Sequence, residues 1–160
     1  MPVVESAVEI RASREALFAL TQDYYVRLEW DPFLRGLRFL DGATGPAPGV
    51  RVWVRARNGL GMLVEYVTVL PPERVAVKLV RGPFFFENFA GAWIFQDAGE
   101  GRTRVVFRYS FRTRWRLLRP LLDRAISAVF ARDVAARTRA LRHAAEETDI
   151  LRRVATAGRA

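Results

Sequence analysis

The feature that most restricts this chain is a change of hydrophobic period near Arg116. Before it, apolar residues mostly alternate with polar ones. After it, Leu122, Ile126, Val129, Phe130, Asp133, Ala136, Arg137, Ala140 and Leu141 return every three or four residues. That repeat predicts one long helix carrying a single stripe, and Pro120 is tolerable only in its first turn. The alternating segments include "VVESAVEIRA", "FLRGLRFLDG", "VRVWVRARNG", "MLVEYVTVL", "RVAVKLV", "AWIFQ" and "TRVVFRYSF". Asn58-Gly59, Pro71-Pro72 and "DAGEGR" lie between successive segments as hairpin or turn signals. Such a sheet must cover its apolar face, and only the last helix is large enough to do so. The expected fold is α+β, with an antiparallel sheet curled around the C-terminal helix.

Two shorter helices interrupt the strands early. Ser13 has the form of an N-cap, with Glu15 in the first turn and Ala16, Leu17 and Leu20 behind it. "YYVRLEW" predicts another turn or two of helix that ends before Pro32. At 160 residues the chain reads as one domain, 1–160, with an ordered core over about 3–147 and a frayed basic tail over 148–160. No apolar run is long enough to span a bilayer. The first ten residues lack the basic and apolar stretches of a secretory leader. With no cysteine, thiol catalysis, zinc fingers and disulfides are excluded, and a cytoplasmic location is expected.

Charge is divided unevenly. Residues 1–101 hold 11 basic and 12 acidic side chains, net −1, whereas residues 102–160 hold 15 arginines and 5 acids, net +10. A basic last third suits an anionic membrane, nucleic acid or a ribosome, and equally a solvated helix. "RTRWRLLRPLL", residues 112–122, mixes arginines with Trp115, Leu117 and Leu118. It reads either as a strand-to-helix junction or as a membrane-surface segment.

The densest aromatic stretch is "GPFFFENFAGAW". If Trp93 and Phe95 point inward, Phe89 does so as well, along with Val105, Phe107, Tyr109 and Phe111 on the following strand. Rings gathered on one concave face are either core or the wall of an apolar pocket. Phe84 to Phe86 break the alternation, so at least one faces out or sits at a rim, or packs against a neighbour or dimer partner. Trp30 has the position of a plug between helices and sheet. Trp53 shares an outer face with Arg51, Arg55 and Arg57, where it either stacks on guanidiniums or faces RNA. Asp133 and Arg137, at i,i+4, either pair with each other or supply polar groups inside a pocket. Asp23, Glu29 and Asp31 read as charge at a helix-to-strand corner. His143 lies on a charged flank, where solvation is expected rather than base catalysis. No catalytic set, metal-ligand spacing or phosphate-binding glycine loop is present, and no cofactor is implied.

The order of elements, together with "AVEIRASREALFALTQD", "LEWDPF", "APGVRV", "VLPPERV", "GAWIFQDAGEGRTRVVFRY" and "LRHAAEE", resembles the START-like superfamily of polyketide cyclases/dehydrases, lipid-transport and coenzyme Q-binding proteins. The resemblance spans about residues 3–147. It implies a helix-grip fold, with a seven-stranded antiparallel sheet gripping the terminal helix and two short helices after the first strand. It also implies a cavity for an apolar small molecule. Phe86, Phe89, Trp93, Phe95, Phe107, Tyr109, Phe111, Ile126, Val129, Phe130, Asp133 and Arg137 are the residues expected to line it. The expected function is binding or transport of a lipid, isoprenoid quinone or polyketide-like compound by a monomer or homodimer. The alternatives are a ribosome- or RNA-associating protein using the basic third, and an aromatic polyketide cyclase or dehydratase.

Overall fold

The period-two segments form strands, and the change of period marks the start of the long helix. A computed structural model describes residues 1–157. Strand β1 (Val3–Ile10) is followed by helices α1 (Arg14–Gln22) and α2 (Tyr24–Trp30). Strands β2 (Leu34–Phe39), β3 (Arg51–Ala56), β4 (Gly61–Leu70), β5 (Arg74–Arg81), β6 (Phe86–Gly99) and β7 (Arg102–Thr113) then lead to helix α3 (Arg119–Glu147). The short helices begin where their caps dictate. The Ser13 hydroxyl accepts from the Ala16 N–H, and the Asp23 carboxylate accepts from the Tyr25 and Val26 N–H groups. Pro120 sits at the start of α3, where its missing N–H would have had no intrahelical partner.

All seven strands join one antiparallel sheet in the order β1-β7-β6-β5-β4-β3-β2. The sheet curls, so its two faces differ. On β3, Val52, Val54 and Ala56 are buried while Arg51, Trp53 and Arg55 are exposed. Trp53 therefore lies on the outer face as expected, and its ring covers Gly61 so closely that a Cβ there would come within 2.6 Å of it. Helix α3 rests on β1 and β7 at one side of the concave face. Its C-terminal half is the anchored half, through buried Val134, Arg137, Thr138, Leu141, Ala144 and Ala145. In the N-terminal half the stripe residues Leu122, Ile126 and Phe130 are only half-buried and Val129 is 63% exposed, so the stripe rises off the sheet instead of running flat along it. Under that raised half, between α3 and β3–β6, lies the space that matters for function. Among the described residues no helix is long and apolar enough to cross a membrane.

One expectation is corrected. Much of the segment assigned to a frayed tail forms a helix of 8 residues, α4 (Ile150–Ala157), with 148 and 149 as its link to α3; 158–160 lie outside the described residues. Its apolar residues are spaced at four, so Ile150 and Val154 face inward together and are buried beside α1. Arg153 adds an exposed bidentate pair with Glu29 at 2.8 and 3.2 Å. Ile150→Ala is therefore expected to destabilise the protein by about 2 kcal/mol, the low end for such truncations because the site is near a helix start. Thermal denaturation would register the drop, and an unchanged midpoint would mean that α4 contributes nothing to stability.

Candidate functional site

The site is built around an interrupted row of rings on β6. Phe86, Phe89, Gly91, Trp93 and Phe95 are all buried on the concave side. Phe86 and Phe89 share that side despite their odd spacing because the register shifts between Phe86 and Asn88, placing an extra residue in the strand. That irregularity also sorts the phenylalanine run. Phe84 is 71% exposed, Phe85 half-buried and Phe86 5% exposed. Gly91 faces Tyr109 across the ladder, and a Cβ at Gly91 would lie 3.4 Å from the Tyr109 ring. The row thus lacks one side chain in its middle, and a cavity lies there.

This inner cavity has a volume of about 80 Å³. Gly91, Trp93, Phe107 and Tyr109 wall it on one side, and Val54, Met62, Val64, Val75 and Val77 on the other. Trp93 and Phe107 stack at 3.9 Å, and Trp30 meets Trp93 edge-on at 6.3 Å, the plugging position expected for it. Beyond Phe33, Met62, Phe89 and Tyr109, which line both spaces, runs an outer groove of about 350 Å³. Phe85, Phe86, Ile126, Val129, Phe130 and Asp133 complete it, with Leu60 and Pro83 at its edges. The inner cavity has room for a few waters or a small group. The groove falls within the roughly 300–1,000 Å³ range of small-molecule pockets.

The expected site residues separate by position. Phe89 and Tyr109 line both spaces; Trp93, Phe107 and Arg137 line the cavity; Phe86, Ile126, Val129, Phe130 and Asp133 line the groove. Two expectations need correction. Phe95 packs edge-on against Phe18 at 5.8 Å, and Phe111 packs against Phe86 and Phe130, so both are core and line neither space. Val129 is also at the margin, exposed on the raised part of α3.

Polar groups gather at the boundary of the two spaces. Arg137 is buried with its guanidinium between the Phe33 and Phe107 rings, 4.9 and 4.6 Å from their centroids. Its Nη2 donates to Asp31 Oδ2 at 2.7 Å, and its Nη1 donates to the Tyr109 hydroxyl. Tyr109 donates in turn to Asp133 Oδ2 at 3.0 Å, whereas the direct Asp133–Arg137 approach is 3.9 Å. The i,i+4 pair anticipated on α3 is thus the longer contact, and Asp31 is the main partner of Arg137. Asp31 has no exposed surface. It also accepts from Arg27 Nε at 3.2 Å and the Phe33 N–H at 3.1 Å. Burial opposes its charge, but Arg137 and Arg27 outweigh burial and hold the carboxyl below its ordinary value. Burial also opposes charge on Arg137, yet Asp31, Tyr109 and Asp133 keep it firmly protonated.

In the sequence Asp31 reads only as corner charge, and three residues of the site give weaker signals still. The glycine at 91 inside an apolar strand is the available signal for a gap or close approach. Tyr24 and Tyr66 share a hydrogen bond at the far end of the cavity, and Tyr66 donates to Gln22 Oε1 at 3.0 Å. Burial raises both phenols above their ordinary value, so they stay neutral. His143 is exposed beside Glu147 on the outside of α3.

Asp133 titrates in the opposite sense to Asp31, because burial raises its carboxyl despite Arg137 and the Tyr109 hydrogen bond. The folded state therefore binds a proton at Asp133 more readily than the unfolded chain does. Its ionisation should lower stability as pH rises from the ordinary carboxylate value through the raised one, with no further change above that. Asp133→Asn should remove this decline, and urea unfolding of both proteins from pH 4 to 8 would measure it. Parallel curves would mean that Asp133 is not perturbed.

The geometry has a clear counterpart among known proteins. The model of the polyketide cyclase / dehydrase and lipid transport family matches residues 1–146. The chain belongs to that family. Its fold is START-like, as the residues in order had suggested. The Zhui aromatase/cyclase from Streptomyces sp. R1128 superposes with a TM-score of 0.76 at 19% identity, over 98% of each chain. A protein from Thermus thermophilus gives 0.71 at 20% identity, over 98% of this chain and 99% of the other. A START superfamily protein from Mycobacterium smegmatis gives 0.72 at 14% identity, over 91% and 97%. No curated protein matches the chain in sequence. At these identities the structural likeness speaks for the fold.

Proposed function

We propose that this family member binds and carries an apolar small molecule with a hydrogen-bond acceptor at one end, such as a quinone, a polyketide-like ring system or an oxygen-bearing lipid. The body of the ligand lies in the outer groove, and its polar end reaches the boundary with the inner cavity. One observation carries the reading. Three buried side-chain donors among the described residues have no hydrogen-bond partner, Trp30 Nε1, Trp93 Nε1 and Arg137 Nε, and the last two belong to side chains that line the mainly apolar inner cavity. Buried donors are normally satisfied, so a carbonyl or hydroxyl oxygen from a ligand is the partner such a cavity suits. Native mass spectrometry of the purified protein, followed by organic extraction, should reveal a bound apolar compound. A protein that yields none and binds no quinone, fatty acid or polyaromatic probe would overturn the reading.

A second reading, an aromatic polyketide cyclase or dehydratase, is favoured by the Tyr109–Asp133 pair. It places a hydroxyl and a carboxyl with a raised proton affinity where a folded chain would bend from groove to cavity. Turnover of a poly-β-ketone that disappears in Asp133→Asn, with ligand binding retained, would select it over carriage alone.

A further inference from the structure

The end of the molecule at the mouth of the groove carries an apolar surface that nothing covers among the described residues. Phe84, Trp115, Leu117, Leu118 and Leu121 are 71%, 45%, 97%, 54% and 70% exposed. Phe84 comes from the β5–β6 turn, and the others come from the β7–α3 turn and the first turn of α3. The two segments are held together: Phe84 meets Trp115 edge-on at 5.7 Å, and the Arg114 N–H donates to the Phe85 carbonyl at 3.0 Å. Isolated exposed leucines need no explanation, but five large apolar side chains at one end of a small domain do.

Charge decides what would cover them. Arg112, Arg114, Arg116 and Arg119 line a shallow depression beside the patch. The nearby acids are engaged: Glu87 pairs with Arg119 at 3.1 Å, and Asp123 accepts from the Thr113 hydroxyl at 2.8 Å. Among the described residues Arg112, Arg114 and Arg116 have no ion-pair partner. A second copy packing this patch on itself would bring these arginines together, which disfavours a dimer. Nucleic acid would match the charge but leave the aliphatic leucines without a use, since base recognition employs ring stacking and polar contacts. Basic heads around an aromatic and several aliphatic side chains match an anionic bilayer, where apolar tips enter the interface and guanidiniums meet headgroups.

We infer that this end docks the protein on anionic membranes, with Leu117, Leu118, Leu121, Phe84 and Trp115 in the interface and Arg112 and Arg116 against lipid phosphates. The groove begins immediately behind the patch, at Pro83, Phe85 and Ile126. Docking there sets the groove mouth at the acyl boundary, so an apolar molecule can pass between protein and bilayer with little exposure to water. The docking itself does not depend on the groove being a ligand site.

Vesicle co-sedimentation separates the alternatives. Wild type should bind phosphatidylcholine vesicles containing about 30% phosphatidylglycerol on the order of tenfold more tightly than pure phosphatidylcholine, and salt should weaken the difference. Leu117→Ser/Leu118→Ser should lose on the order of tenfold in binding to both vesicles. Arg112→Gln/Arg116→Gln should lose only the preference for the anionic ones. All four positions are at least partly exposed, and thermal melts would verify that the variants fold. Trp115 fluorescence should shift to the blue on binding, a shift that Trp115→Phe removes. Equal sedimentation with and without vesicles would overturn the inference. So would a concentration-dependent dimer abolished by Leu117→Ser/Leu118→Ser, or RNA binding without vesicle binding. Extraction of a ligand from a protein that ignores vesicles would defeat docking while leaving the carrier reading intact, and docking without any ligand would do the reverse.

Discussion

Replacing Asp31 by asparagine is expected to destabilise the protein by about 3–5 kcal/mol, the usual consequence of removing one partner from a buried ion pair. The carboxylate is completely buried and serves two arginines at once, Arg137 at 2.7 Å and Arg27 at 3.2 Å. Asparagine keeps the acceptor for the Phe33 N–H but removes the charge that balances both guanidiniums. Arg137 would then remain between two phenylalanine rings with only Tyr109 and the more distant Asp133 nearby. A loss of this size corresponds to roughly 10 °C in the melting midpoint of a domain this large. Asp31→Asn/Arg137→Met should lose less than the two single variants together, because the second change removes a stranded charge. Additive losses would show that the pair is not coupled.

The pH dependence follows with a definite sign. The folded-state affinity of Asp31 for a proton lies below the unfolded one. Its stabilising contribution is present above the unfolded value, about 3.9, and is lost as pH falls through the lower folded value. Wild type should therefore lose stability in acid along a limb that Asp31→Asn lacks.

Gly91→Val is expected to leave the fold standing and to abolish most ligand binding. Valine suits a strand, and its Cβ would make an ordinary contact with the Tyr109 ring at 3.4 Å and with Val77 at 3.8 Å. Its two methyl groups would then occupy space that belongs to the inner cavity, of which Gly91 is part of the wall. Overpacking of this kind costs about 1–3 kcal/mol. A ligand whose polar end must enter the cavity should bind about 100-fold more weakly, equivalent to about 2.8 kcal/mol. Titration of the extracted ligand, or of the tightest panel compound, into folded Gly91→Val measures the loss. Unchanged affinity would confine the ligand to the outer groove.

These two positions also show why the site is less legible than the fold. Alternation and the late change of period describe which residues share a face, and they suffice for the sheet, the two early helices and α3. They place Phe89, Trp93, Phe107 and Tyr109 on one concave wall, yet they do not separate cavity lining from solid core. Phe95 and Phe111 obey the same alternation and are packed solid, because the difference depends on what stands opposite them. Asp31 lies 106 residues from Arg137 in the chain. No local pattern marks one corner carboxylate as buried while its neighbours Asp23 and Glu29 serve a helix cap and a surface pair. The helical period does connect Ile150 and Val154, but a short basic segment after an evident helix end offers little propensity to set against fraying.

The sheet order has a consequence for synthesis. The first strand made, β1, sits at the sheet edge and pairs only with the last, β7, with Glu5 opposite Arg108. At about 5–20 residues per second, β1 waits on the order of 5–20 s for that partner to be translated. Throughout that interval its edge groups and alternating valines are open to any other strand. Closure of the sheet is therefore a late event, and a nascent chain paused within β7 would be the form most in need of a chaperone.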